Sequence, residues 1–266
     1  MREKVHEAIC TGGPLLFRMR ISDTKTFRSV LNAISAIVDE ATFTIGPDGI
    51  KLRAMDPSRV AMVDFEMYKT SFDEYEATEE SKVCVNLSEL LKLLKRAGRD
   101  DIIELSLDEE TGRFLVKMIG RYVRTFNMPT LEASEEEVPE PKLTFNAKVT
   151  LTTDDFNDTL KDAALVSDNV RIETDGESLV MNAKGDISGA RIEIKKGSDA
   201  LISIEAKEPS KATFSLSYLT EIVKAASATS DIVTLEFSTD MPIRLDFRQR
   251  YDGKLVYLLA PRIEVE

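Results

Sequence analysis

Histidine is nearly missing from these 266 residues, with His6 its one instance, and cysteine occurs only at Cys10 and Cys84. Neither a zinc site nor a Ser-His or Cys-His nucleophile can be assembled from that inventory. The two cysteines share no motif spacing, which predicts free thiols in a reducing compartment and no disulfide. No apolar run reaches the roughly 18 residues of a membrane-spanning helix, so nothing is expected to cross a bilayer. The start MREKVHEAICTGGPLLF carries acids in its first turns and lacks a signal-peptide run, which predicts an intracellular protein. Phosphate-cradling loops are missing too: CTGGP is not followed by Gly-Lys-Ser/Thr, and no G-x-G-x-x-G occurs. The paired acids Asp100–Asp101 and Asp154–Asp155 fall where a strand begins or a helix starts, as solvated carboxylates do. Of the enzyme classes, hydrolysis by a carboxylate-held metal, as in a nuclease, stays open; no cofactor is implied.

Positive charge is also scarce. Lys and Arg total 35 against 47 Asp and Glu, a net charge of -12. Yet NLSELLKLLKRAGR, residues 86–99, holds four basic residues. At about 100° per residue, Leu87, Leu90, Leu91 and Leu94 share one face of a helix, with Lys92, Lys95, Arg96 and Arg99 opposite. One face packs; the other is an ordinary solvated face or looks at something negative.

With 42% apolar and 31% charged residues the chain is globular, and self-comparison shows it written twice with a shift of about 129 residues. FRSVLNAISAIVDEATFTIGPDGIKLRAM from Phe27 parallels FNDTLKDAALVSDNVRIETDGESLVMNA from Phe156, each a helix, a strand, an Asp-Gly turn and a strand. The stretch from Asn86 likewise parallels that from Ser215. Leu87, Leu90, Leu94 and Ile102 correspond to Leu216, Leu219, Val223 and Ile232, core positions in both copies. Alternating strands predict antiparallel sheets with one buried face, hence an α+β fold of two similar domains. Between them NMPTLEASEEEVPEPK, residues 127–142, carries five glutamates and three prolines against one lysine and reads as an extended linker. The first helix sets Lys25, Arg28, Asn32 and Ser35 opposite Phe27, Leu31, Ile34 and Val38. The third exposes Lys161 among Asp154, Asp158 and Asp162; the fourth exposes Ser217, Glu221 and Lys224. Basicity is thus concentrated in the first half, a weak phosphate-facing surface.

LRAMDPSRVAMVDF (Leu52–Phe65), NLSELLKLLKRAG and the terminal YLLAPRIEVE resemble the sliding clamp of DNA replication, the proliferating cell nuclear antigen family, above all its archaeal members. The resemblance implies an extension over 1–15, clamp domains over 16–126 and 143–266 with the connector 127–142 between them, and four helices lining the hole of a three-subunit ring. It implies sequence-independent contact with double-stranded DNA through Arg28, Lys92, Lys95, Lys161 and Lys224; helical phase adds Lys25, Arg96 and Arg99. Ser35, Asp158 and Ser217 depart from the family's basic pattern. A partner-peptide pocket is implied at Met55, Arg59, Met62, Val138, Pro139, Pro242, Ala260, Pro261 and Ile263, open to DNA polymerase, clamp loader, flap endonuclease and ligase. Subunit edges are implied at Gly120–Phe126, with Tyr122 and Arg124, and at Gly189–Gly197, with Arg191, Ile192 and Ile194. A non-catalytic homotrimer follows; a subunit of a heterotrimeric clamp differs only at those edges.

Overall fold

The computed structural model describes residues 15–133 and 138–263. In the first half the order is β1 (Leu15–Ile21), α1 (Thr24–Ile34), β2 (Glu40–Gly46), β3 (Gly49–Met55), β4 (Ala61–Tyr68), β5 (Glu74–Ala77), β6 (Ser81–Asn86), α2 (Leu87–Leu94), β7 (Ile102–Asp108), β8 (Arg113–Ile119) and β9 (Val123–Pro129). The second half repeats it: β10 (Ala147–Thr152), α3 (Thr153–Ala164), β11 (Asn169–Thr174), β12 (Ser178–Lys184), β13 (Gly189–Lys195), β14 (Leu201–Ala206), β15 (Ser210–Ser215), α4 (Leu216–Ala226), β16 (Ile232–Phe237), β17 (Ile243–Phe247) and β18 (Gly253–Leu259). The predicted α+β duplication is therefore present strand for strand.

Polar residues placed just before apolar runs start the helices. The side chains of Asp23, Asn86 and Thr152 accept the N–H groups of Thr26, Glu89 and Asp155, satisfying donors a helix start leaves unpaired. The expected stripes are buried: Phe27, Leu31 and Ile34 on α1, Leu87, Leu90, Leu91 and Leu94 on α2, Phe156, Leu160 and Ala163 on α3. Packing between neighbours sets the helices in one row, α2–α1–α4–α3.

Three antiparallel sheets cover the helices: β5-β1-β7-β8-β9, β13-β12-β11-β15, and the nine-stranded β14-β10-β16-β17-β18-β4-β3-β2-β6. The largest joins the halves through β18 and β4, from Gly253↔Met67 to Leu259↔Ala61. Tyr257 of β18, fully buried, donates to the carbonyl of Ala33 in α1 at 2.7 Å. Strands β9 and β13 end the two smaller sheets, and both carry the same open pattern of exposed outer and half-buried inner residues.

Three expectations are corrected. The helix read over 86–99 ends at Leu94 with Lys95 as its C-cap, so Arg96 and Arg99 lie in the turn beyond. There the N–H groups of Arg96 and Ala97 reach back only three residues, to the carbonyls of Leu93 and Leu94, and the Asp101 carboxylate accepts the Gly98 N–H at 2.8 Å. The same carboxylate takes Arg124 and fills the space of a side chain at Gly120, where a Cβ would sit 1.9 Å from its Oδ1. Gly120–Tyr122 is therefore a bend, and the edge strand begins at Val123, not Gly120. It runs to Pro129, so the segment read as linker starts as strand.

Candidate functional site

The basic residues sit along the helix row. Lys25, Lys92, Lys95, Arg96, Arg99, Lys161 and Lys224 are exposed and Arg28 half-exposed. Two of these charges are damped: Lys92 pairs with Glu89 at 2.6 Å and Lys161 with Asp158 at 2.8 Å, each one helical turn back. Asp158 thus neutralises the one lysine of α3. Among the described residues no ion pair involves Lys25, Arg28, Lys95, Arg96 or Arg99 in the first half or Lys224 in the second, and these carry the rest of the row's positive charge.

The ladder also gathers the expected pocket residues at one end of the large sheet. Met55 faces Met62, Met62 faces Leu258, and one step on Ala260 donates its N–H to the carbonyl of Val60 at 2.9 Å. Pro242 and Pro261 flank that corner, and Ile263 is 89% exposed. The residues do not line one cavity. A groove of about 710 Å³ runs beside Val138 and Pro139 and takes in Met55 and Arg59. A second, about 690 Å³, lies beyond Glu140 and Pro141 and has Met62 and Leu258 on its floor. Pro242, Ala260, Pro261 and Ile263 line neither groove. The connector crosses between them because Glu140 is held by Arg53 at 3.2 Å, while Arg53 also binds Asp64 at 3.0 Å. Lys254 completes that outer ion cluster, 3.0 Å from both Asp64 and Glu66.

Sequence reasoning missed Arg53, Glu140, Asp56 and Tyr218. Asp56 is buried, and burial alone would raise its pKa. The N–H of Ala61, the Tyr218 hydroxyl and the N–H groups of Val60 and Ser58 outweigh that and hold it below the usual carboxylate range. Its place inside MDPSR was a signal, since Asp before a tight turn bonds backbone N–H groups.

Comparison with known proteins agrees with this architecture. Residues 16–125 match the family model for the proliferating cell nuclear antigen N-terminal domain, and residues 139–262 that for its C-terminal domain. The chain belongs to the proliferating cell nuclear antigen family. It is 40% identical over 242 residues to DNA polymerase sliding clamp 1 of Pyrobaculum aerophilum, covering 91% of this chain and 96% of that one. The structure of the proliferating cell nuclear antigen of Thermococcus kodakaraensis superposes with a TM-score of 0.87 at 28% identity, over 92% of this chain and all (100%) of that one. A PCNA2–PCNA3 complex from Sulfolobus tokodaii gives 0.84 at 28% identity, over 93% of this chain and 100% of the other. The residue roles implied by the family resemblance fall, in this member, on the helix row, the connector corner and the two open edges.

Proposed function

We propose that this chain is a DNA polymerase sliding clamp: three subunits close head to tail around duplex DNA, and the ring tethers polymerases and other replication and repair proteins inside the cell without turnover of its own. The observation that carries this reading is the complementarity of the two open edges. Leu87 and Leu216 donate to Asp39 and Asp168, which makes those residues internal counterparts. Following the ladders outward pairs Phe65 with Ile192 across the duplication, and Arg124 with Leu255. Within the chain Leu255 faces Phe65. The equivalent joint therefore sets Arg124 of one subunit against Ile192 of the next, with Thr125 against Arg191. Unpaired edges of this kind are templates, and a head-to-tail joint that closes removes them.

Two exposed apolar residues support the same joint. Leu165 is 82% and Ile187 101% exposed. Their counterparts, Ala36 and Val60, are partly buried against the core. A neighbour's α2, the counterpart of α4, would cover Leu165 and Ile187 as the α1–α4 contact continues the row within the chain. The row then continues around a hole, with basic residues toward phosphate and an acidic exterior that repels wrong contacts. The connector corner receives short apolar peptides of polymerase, clamp loader, flap endonuclease or ligase, and methionine walls suit varied partners.

A mixed ring is the second reading, because one structurally similar assembly, from Sulfolobus tokodaii, is a PCNA2–PCNA3 complex. The test is light scattering on this chain alone, followed by loading on nicked circular DNA and cutting. A homotrimer retained on circles and lost from linear DNA is expected. A monomer that becomes a ring only with a second clamp chain selects the mixed ring, and magnesium-dependent cleavage of the nicked DNA would overturn the non-catalytic reading.

A further inference from the structure

The Tyr218 hydroxyl on α4 donates to Asp56 Oδ2 at 2.7 Å, across 162 residues of sequence. Asp56 is 4% exposed. Its Oδ1 also accepts the N–H groups of Val60 and Ala61, both at 2.7 Å, and its Oδ2 that of Ser58 at 3.0 Å. Among these donors Tyr218 alone comes from outside the β3–β4 hairpin. The loop needs holding, because Arg59 has φ +56°, a left-handed conformation that costs a side-chain-bearing residue energy and persists only when its surroundings fix it. The loop in turn holds the C-terminal tail, since the Val60 carbonyl accepts the Ala260 N–H, and Arg262 donates its own N–H to Thr213 in β15 at 2.7 Å. Thr213 lies in the strand that leads straight into α4. The circuit is closed: α4, Asp56, loop, tail, β15, α4.

We propose that Tyr218 is a positioning residue for partner binding: through Asp56 it holds the loop of Met55 and Arg59, and with it the tail, in the shape that receives a peptide. This rests on the partner-pocket reading above. Tyr218 itself lies half-buried on the inner helix row. Without its hydroxyl the loop keeps its fold but samples more conformations, and ordering it again opposes binding.

Tyr218→Phe removes only the hydroxyl. Calorimetry with an apolar-aromatic tail peptide of a polymerase should show affinity reduced about five- to twentyfold, at or below the low end of what a lost hydrogen bond to a charged group is worth, because only the part spent on ordering the loop falls on binding. Ring mass and DNA retention should not change. Amide exchange at Val60 and Ala61 should quicken in the free variant and return to the parent rate once peptide is bound, which a merely structural defect would not do. In an Asp56→Asn background, Tyr218→Phe should cost less than about twofold, because a residue acting through another loses its effect when that one is altered. Parent-like peptide affinity, unchanged exchange at Val60 and Ala61, or an equal loss in the Asp56→Asn background would overturn the inference. Met62→Glu, measured in parallel, separates the two ideas: undiminished binding there overturns the pocket itself.

Discussion

The proposed register between subunits can be tested one residue at a time. Thr125 and Arg191 are both exposed on the outer side of their edge strands, and their counterparts within the chain are Val256 and Asp64, which face each other across β18 and β4. Residues directly opposite in an antiparallel pair have Cα atoms about 4.5 or 5.5 Å apart, inside the roughly 4.4–6.8 Å that a disulfide spans. Thr125→Cys with Arg191→Cys, in a Cys10→Ser background, should therefore cross-link subunits under mild oxidation. Cys84 does not compete, being buried with a free thiol. Three linked joints close the ring covalently, so a denaturing gel should show dimer, linear trimer and a circular trimer of altered mobility. Thr125→Cys with Glu193→Cys is the control. That pair is diagonal, about 7–8 Å apart, and should link far less. A slip of one residue would turn Arg191 to the other face of the sheet and abolish the first cross-link altogether. Equal linking by both pairs, or stronger linking by the Glu193 pair, would refute the register. No linking in a chain that is trimeric by light scattering would place the joint elsewhere.

Other expectations follow from single groups. Lys92, Lys95 and Arg96 changed together to alanine should weaken retention on circular duplex regardless of sequence and lower the salt slope by about one unit for each phosphate left without its cation; processive synthesis equal to the parent at all salt concentrations would mean the face is only solvated. Met62→Glu should abolish peptide binding in calorimetry, since it replaces a buried apolar contact point beside Leu258 and Val256 with a charge, while leaving ring mass intact. Arg53→Ala should free the connector at Glu140 but leave Asp64 its Lys254 partner, so amide exchange near residues 138–143 should rise while Tm falls only about 2–4 °C. Burial opposes ionisation of Glu104, yet Arg20, Lys117 and Arg18 together hold its pKa below the ordinary value, as the loop amides and Tyr218 do for Asp56. Both carboxylates bind protons more readily when unfolded, so their stabilisation is complete above about pH 4.5 and is lost as pH falls through the lower folded values. Thermal melts from about pH 6 to pH 3 should show that decline, and Glu104→Gln should flatten it.

Much of the fold was legible because it is local and repeated. The apolar stripes of α1, α2 and α3 and the two Asp-Gly hairpins each depend on residues within one turn or one strand. The ends of elements were less legible, and Asp101 shows why. Its carboxylate binds both the turn after α2, at Gly98, and the edge strand, at Arg124, and no periodicity reveals a side chain that reaches two segments at once. The pocket residues were implied by family likeness, not by pattern, and the structure gathers them only in part: Met55 faces Met62 across the ladder, but the two line different grooves and Ala260 lines neither. Tyr218 and Asp56 escaped because nothing in either neighbourhood announces the other. Arg53 and Glu140 escaped for a simpler reason: in sequence they are two of many surface charges.

The joint between β18 and β4 also has a kinetic meaning. Six such joints would alternate around a ring of three, and in each chain the internal one is backed by Asp252, which bonds Tyr68, Thr70 and Ser71 next to β4. Its two sides belong to one polypeptide, so a rupture there re-forms at the effective concentration of a tethered pair. The joints between chains have no covalent tether, and any opening of the ring to admit DNA falls on one of them. A single rupture still leaves both edges held near each other by the rest of the ring. Escape into subunits needs a second break before the first heals, so the lifetime of the ring exceeds that of any one joint, and an opener needs to hold only one joint apart.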